Sequence, residues 1–351
     1  MPGRKKTPEA KARVTIRDVA LAAGVSVGTV SRVINNNAKV AAGIRLRVLT
    51  AARDLGYVPD VIAQSLRTNA TMMVGCILAD ITNKLFMTAI SAAEAVLRKA
   101  GYVIVLAASN GDINREVEIL SMFDSRRLEG CIMTVSDEND PRIIEALSKL
   151  RMPVTLLERE MSLGIDCAFT DQFSGVYQAV TYLLTLGHRR IGLITVSRET
   201  RPGRERARGF RKAFEDFQLP VDEAWTAFRG NSPEYGYRVA YGFLSAKSPP
   251  TAIIAGANEM VGVVQAARAL GVGVPEALSL ISLGDTDLMT IHSPPLSVIR
   301  WDHARTGELA AELMLSRINN SGPDDVRKII LPTELVMRLS CASIHGAAGG
   351  A

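Results

Sequence analysis

The residues from Thr15 to Asn37, TIRDVALAAGVSVGTVSRVINNN, leave the chain little choice of local structure. Ala20 is followed four residues on by Gly24 and six later by Val30, with Val19, Val25 and Val33 at the apolar positions around them. Two short helices that cross closely need a small residue at the contact, and Ala20 supplies one. The turn between them needs a residue that takes a positive φ at no steric cost, and Gly24 is that residue. Thr15 and Asp18 stand at the spacing of a capping box, and Ser26 stands where the second helix needs its N-cap. The spacing therefore predicts two crossed helices, the second running from Val27 to Asn35.

That second helix presents Val27, Gly28, Thr29, Ser31, Arg32 and Asn35 outward. Together with Thr15, Arg17 and Ser26 they form a set able to meet base edges and phosphates in a major groove. An ordinary helical hairpin inside a larger domain would satisfy the same spacings, so charge becomes the discriminating observation. Residues 1–70 carry twelve Lys/Arg against four Asp/Glu, a net +8, whereas the whole chain of 351 residues is only +5 and the remaining 281 residues carry −3. A basic block on an otherwise slightly acidic protein is the electrostatic footprint of a module that binds phosphates.

A third helix is expected over Ile44–Leu55, where Ile44, Val48, Ala51, Ala52 and Leu55 recur at helical period and close a miniature core. Tyr57-Val58-Pro59 ends this headpiece, because the residue before a proline is pushed out of helical geometry. Asp60 then caps a run, VIAQSLRT, that is too short for a stable isolated helix in water, where roughly 12 or more residues are needed. From Met73 the pattern changes. Apolar runs such as VGCIL (74–78), VIVLAA (103–108), CIMTV (131–135) and VTLL (154–157) alternate with segments of helical period, and the alternation restarts at Asp171. This predicts two doubly wound parallel-sheet lobes in tandem, with a small-molecule cleft beyond the carboxyl ends of their strands.

The polar residues that follow strands are the candidates for that cleft: Asp80 and Asn83 with Phe86 after the first strand, Asp171 after CAFT, Asn258 after AIIAGA, and Asp285 after LSLISLG. Arg206 lies in the first turns of the helix whose apolar stripe is Ala207, Phe210, Phe214 and Phe217. Aspartate and asparagine can bind hydroxyls, and an arginine fork can hold a carboxylate or a hydroxyl pair. The run SRETRPGRERARGFRK places Arg198, Arg201, Arg204, Arg206, Arg208, Arg211 and Lys212 together. Two readings stand: an anionic ligand such as a sugar acid at a helix N-terminus, or a solvated helix face with Arg206 alone functional.

Three stretches, the one opened above, RDLGYVPDVIAQSLR and the two-lobed body that follows, give the chain a resemblance from Val14 onward to the lactose/galactose-repressor (LacI/GalR) family. The resemblance implies an all-α helix-turn-helix headpiece plus an α/β periplasmic-binding-protein-like body. In its terms residues 1–13 are a disordered basic arm, 14–59 the headpiece, 60–71 a hinge helix or linker, and 72–345 an effector-binding and dimerisation domain, with a disordered tail over 346–351. The lobes would be discontinuous, an N-lobe of about 72–171 and 302–327 and a C-lobe of about 172–301 and 328–343. The resemblance further implies that Leu66 wedges into the minor groove at the centre of the operator, and that the positions of Asp171, Arg206 and Asn258 contact the effector. The chain departs from the family at Ala41, where relatives place a Ser or Thr cap, and at Ser282-Leu283-Gly284-Asp285, where Gly284 replaces an acidic residue.

The expectation is a homodimeric transcriptional regulator, a repressor, that binds a double-stranded operator and is controlled by a sugar or sugar acid. A secreted sugar-binding protein would share the body but would need a signal peptide and would have no use for residues 14–70. No signal peptide or span of about 18 apolar residues is present, so the expected location is cytoplasmic, with the bacterial nucleoid, and no membrane partner. Cys76, Cys131, Cys167 and Cys341 show no metal or redox spacing. No nucleophile elbow, zinc-protease helix, phosphate loop or dinucleotide fingerprint appears, so no enzyme, cofactor or metal is expected.

Overall fold

The computed structural model describes residues 14–34, 39–57 and 70–344, and the chain falls into two compact units, Met1–Thr71 and Met72–Ala351. Asn35, Leu66, His345, the basic arm, the tail and most of the hinge lie outside the described residues.

The first unit holds three helices, α1 (Ile16–Ala23), α2 (Val27–Ile34) and α3 (Ala42–Asp54). Its core is small and closed: Val19, Val30 and Val48, one from each helix, are fully buried, with Ala20, Ala23, Val33 and Ala52 around them. Gly24 ends α1 in the left-handed region at φ 62°, and the Val25 N–H reaches back to the Ala20 carbonyl at 3.0 Å. At the start of α1 the Asp18 carboxylate accepts both the Thr15 N–H (2.8 Å) and the Thr15 hydroxyl (2.7 Å). These bonds hold its pKa below the usual carboxylate value. The Ser26 hydroxyl accepts the Thr29 N–H at 3.2 Å and so caps α2. By contrast α3 starts on Ala41, which offers no side-chain cap.

The second unit is built from two six-stranded sheets, each covered by helices on both faces. In the N-lobe the strands are β1 (Met73–Leu78), β2 (Val103–Ala108), β3 (Gly130–Met133), β4 (Val154–Leu157), β5 (Asp166–Thr170) and β11 (Lys328–Leu331). They lie in the order β11-β5-β4-β3-β1-β2, all parallel. The helices α4 (Lys84–Lys99), α5 (Ile113–Ser125), α6 (Pro141–Ser148) and α12 (His303–Ile318) belong with it. The C-lobe comprises β6 (Ile191–Thr195), β7 (Thr226–Phe228), β8 (Ala252–Gly256), β9 (Ser279–Leu283), β10 (Ser297–Arg300) and β12 (Glu334–Val336). Its order is β12-β10-β9-β8-β6-β7, parallel except where β12 runs against β10. Its helices are α7 (Gln172–Thr185), α8 (Arg201–Asp216), α9 (Pro233–Leu244), α10 (Ala257–Ala269) and the short α11 (Asp287–Ile291).

The strands β3, β5, β6, β8 and β9 are buried along their whole length and largely apolar, because helices cover both sides of the sheet. The chain passes between lobes at Asp171 and at Trp301-Asp302. Its third passage corrects the expected one. Strand β11 pairs with β5, Lys328 opposite Cys167 and Leu331 opposite Thr170, so residues 328–331 belong to the N-lobe and the crossing falls at Pro332-Thr333. The KIIL run reads equally well as a strand of either sheet. What places it is Asp166, whose buried carboxylate takes Arg317 at 2.7 Å and Arg327 at 2.6 Å and so ties the segment to β5 and α12.

Candidate functional sites

On the headpiece, α2 turns Val30 and Val33 inward and leaves Val27 41% exposed, with Gly28 and Arg32 exposed and Thr29 and Ser31 half-buried. Arg32 lies back along its own helix, Nε donating to the Gly28 carbonyl at 3.2 Å and a terminal nitrogen to the Thr29 hydroxyl at 3.4 Å. A guanidinium held, among the described residues, by these exposed contacts is available to a phosphate or base at little cost. Thr15 and Arg17 are exposed at the start of α1, and Ser26 at the start of α2.

In the body a cavity of about 100 Å³ lies between the carboxyl ends of the two sheets. Of the residues expected there, Asn83, Phe86, Arg206 and Asn258 line it. Asp80, Asp171 and Asp285 do not. Asp80 accepts the Thr82 N–H and hydroxyl, each at 2.7 Å, in a turn. Asp171 caps α7 through the Ser174 N–H (3.0 Å) and hydroxyl (2.6 Å). Asp285 is clasped by Arg338 at 2.6 and 3.0 Å. For Asp171 the residue after a strand is also the residue before a helix, and the N-cap role claims it; Asp80 and Asp285 are held by a turn and by an ion pair. Asn83 serves both ends, capping α4 through the Leu85 N–H at 3.0 Å while lining the cavity.

Residues not anticipated from the sequence complete the lining: Glu158 and Arg159 after β4, Gln172, Asn231, Glu259, and the pair Trp301 and His303 at the second crossing. Glu158 carried the same signal as Asp80, a charge directly after an apolar run. The aromatic pair carried none, because its place depends on where the chain changes lobes. Glu158 sits at φ 55°, a left-handed conformation unfavourable for a residue with a Cβ, and such strain concentrates at ligand sites. One directed chain of hydrogen bonds joins the lobes. Arg206 Nε donates to Gln172 Oε1 (2.9 Å), Gln172 Nε2 donates to the Thr170 hydroxyl, and that hydroxyl donates to Glu158 Oε2 (3.0 Å).

The wall is polar and incompletely bonded. Four lining atoms are buried without a hydrogen-bond partner: Glu158 Oε1, Glu259 Oε1, Trp301 Nε1 and His303 Nε2. Buried polar groups are nearly always paired, and four exceptions around one cavity mark a place where something else bonds them. Burial raises the Glu158 carboxyl, pushes Glu259 up to about 7 and brings His303 down to about 4. It also lowers Arg206 to about 10, against the pull of Glu259 and Glu158, so the guanidinium stays charged at neutral pH. Beside the cavity-lining Leu283, Gly284 sits at φ 116°, and a Cβ there would lie 2.6 Å from Leu85 Cδ1 of the opposite lobe.

Comparison with known proteins agrees with both halves. The profile of the bacterial regulatory proteins of the lacI family matches residues 15–60, and that of the periplasmic binding protein-like domain matches 180–341. The HTH-type transcriptional repressor PurR of Yersinia pestis bv. Antiqua (strain Antiqua) is 33% identical over 332 residues, covering 93% of this chain and 97% of the relative. Among solved structures, the transcriptional regulator CelR in complex with cellobiose superimposes with a TM-score of 0.71 at 25% identity, over 93% of this chain and 100% of that one. The Lac repressor dimer bound to operator and the anti-inducer ONPF gives 0.83 at 23% identity, over 94% and 99%, and shows the shared fold. The expected fold, a helix-turn-helix headpiece with a two-lobed body, is the one found. With its headpiece, its two parallel-sheet lobes and a relative matched along nearly its whole length, this chain belongs to the lacI family of bacterial regulatory proteins and is a DNA-binding transcriptional repressor.

Proposed function

We propose that the chain represses transcription as a homodimer on a pseudo-palindromic operator, and that a small polar metabolite of the sugar class, held in the cavity of the body, sets its affinity for DNA. The observation that carries this is the cluster of four unpartnered buried atoms on the cavity wall, in a chain whose other unit exposes a polar recognition helix. Thr15, Arg17, Ser26, Val27, Gly28, Thr29, Ser31 and Arg32 are the proposed DNA contacts. Asn83, Phe86, Arg206 and Asn258 are the proposed effector contacts, joined by Glu158, Gln172, Glu259, Trp301 and His303. A second copy has a surface to meet: β2 is an edge strand, and it leaves Val103 64% and Leu106 39% exposed.

Fluorescence anisotropy on labelled fragments from the gene's own neighbourhood, at 50 and 200 mM salt, tests the DNA half. Retention should weaken steeply with salt, and Arg32→Ala should lower affinity about 10-fold or more while leaving small-molecule binding intact. Salt-independent retention, or an Arg32→Ala protein that binds like its parent, would remove α2 from the groove.

A further inference from the structure

We infer that the cavity selects a neutral, polyhydroxylated ligand over an acid, with Glu158 and Glu259 as the residues that enforce the choice by accepting ligand hydroxyls from opposite lobes. The inference rests on the reading of the cavity as the effector site and goes beyond it in naming what the site rejects. The unpartnered atoms carry it. Two of the four are carboxyl oxygens, Glu158 Oε1 from the end of β4 and Glu259 Oε1 from the first turn of α10, on residues 7% and 1% exposed. Glu158 cannot turn its other oxygen inward. Thr170 accepts from Gln172, so its single hydroxyl proton goes to Glu158 Oε2, and the Thr170 N–H approaches the same oxygen at 3.3 Å. The free oxygen asks for a donor. Trp301 Nε1, which can only donate, asks for an acceptor. A hydroxyl group offers both, and a ring bearing several can answer all of these positions at once.

The two cations on the cavity lining are partly engaged within the protein. Arg206 gives Nε to Gln172 and a terminal nitrogen to the Thr195 hydroxyl at 2.7 Å. Arg159 gives Nε to the Val135 carbonyl at 2.6 Å and a terminal nitrogen to the Glu158 carbonyl at 2.9 Å. Along the basic run, Arg198 and Arg211 share Glu223, Arg201 takes Glu160, Arg204 takes Glu138, Arg208 takes Glu205, and Lys212 takes Asp216. The run is a paired surface with only Arg206 turned into the cavity. In their ionised forms the two buried carboxyl groups repel a ligand carboxylate in a medium that screens little. The raised pKa of both glutamates reports the same unmet need for donors.

Matched pairs test this by calorimetry on the full chain: glucose against gluconate and glucuronate, ribose against ribonate, cellobiose against cellobionate. At least one neutral member should bind, and its acid should bind about 100-fold more weakly or not at all. Glu158→Gln and Glu259→Gln, which keep shape and volume, should each weaken the neutral ligand about 10- to 100-fold, the size expected when an amide N–H replaces the acceptor and leaves a buried ligand hydroxyl unpaired. An acid that binds more tightly than its neutral partner, substitutions that leave affinity unchanged, or silence from every pair would overturn the inference. Operator binding measured on the same samples separates the outcomes, since its absence would strike at the regulator reading and leave the ligand preference standing.

Discussion

Glu259 and His303 both line the cavity and titrate in opposite senses. The Glu259 carboxyl, with a folded pKa of about 7 against an ordinary value of 4.5, keeps its proton more readily in the folded chain. Its neutral form therefore contributes fully below pH 4.5, and that contribution is lost as pH rises through 7. The His303 ring, lowered from 6.5 to about 4 by burial, is held neutral, so stability is lost as pH falls from 6.5 toward 4. Each shift corresponds to about 3 kcal/mol, and between pH 4.5 and 6.5 the two oppose one another. Glu259→Gln mimics the neutral acid at every pH. Its stability relative to the parent, read from urea midpoints at pH 5 and pH 7.5, should rise by up to about 3 kcal/mol across that interval. A difference that stays constant with pH would mean that Glu259 titrates like an exposed carboxylate.

At the level of single elements, α3 is the place where the chain breaks a local rule without compensation in view. Its N-cap Ala41 offers no oxygen to the first-turn amides, whereas Ser26 before α2 does. Ala41→Ser should stabilise the headpiece by about 1 kcal/mol, measured as a rise in the denaturant midpoint of the full chain's first transition. An unchanged midpoint would show that water or backbone already satisfies those groups. This defect was legible in the sequence, as was most of the fold, because capping, the small residue Ala20 at a crossing and the left-handed turn at Gly24 are local properties. The placement of residues 328–331 was not legible, since Asp166 binds Arg317 and Arg327 from more than 150 positions away. The cavity was half legible for a related reason. Sequence shows which polar residues follow strands, but not which of them spend their oxygens on a helix end, as Asp171 does, and which turn inward, as Glu158 does.

On the scale of the whole body, the lobes touch on both sides of the cavity, and the contacts differ greatly in what they can hold. On one side Lys84 meets Asp287 at 2.8 Å with both side chains over 70% exposed, and such a pair is worth roughly 0–1 kcal/mol. On the other side the N-lobe residue Glu138, its side chain 2% exposed, accepts the Arg201 backbone N–H at 2.8 Å and the Arg204 guanidinium at the N-terminus of α8. Arg201 returns across the gap to Glu160 at 3.1 Å and to the Thr170 carbonyl at 3.1 Å, and lies 3.6 Å over the Phe169 ring. A buried carboxylate at a helix N-terminus is stabilised by the helix dipole as well as by the arginine, and deleting it strands a half-buried cation. Breaking a fully buried pair costs about 3 to 5 kcal/mol, and with Arg204 41% exposed the loss here falls below that range. The arrangement of the lobes therefore depends on Glu138 far more than on Lys84. Glu138→Ala should let the lobes part, raising the radius of gyration of the full chain in small-angle scattering and speeding cleavage at the crossings near Asp171, Trp301 and Pro332, while Lys84→Ala should change neither. If scattering and cleavage of the Glu138→Ala protein matched the parent's, the lobes would be held instead by the packing of Leu85 on Gly284, and Leu85→Ala would then be the substitution that parts them.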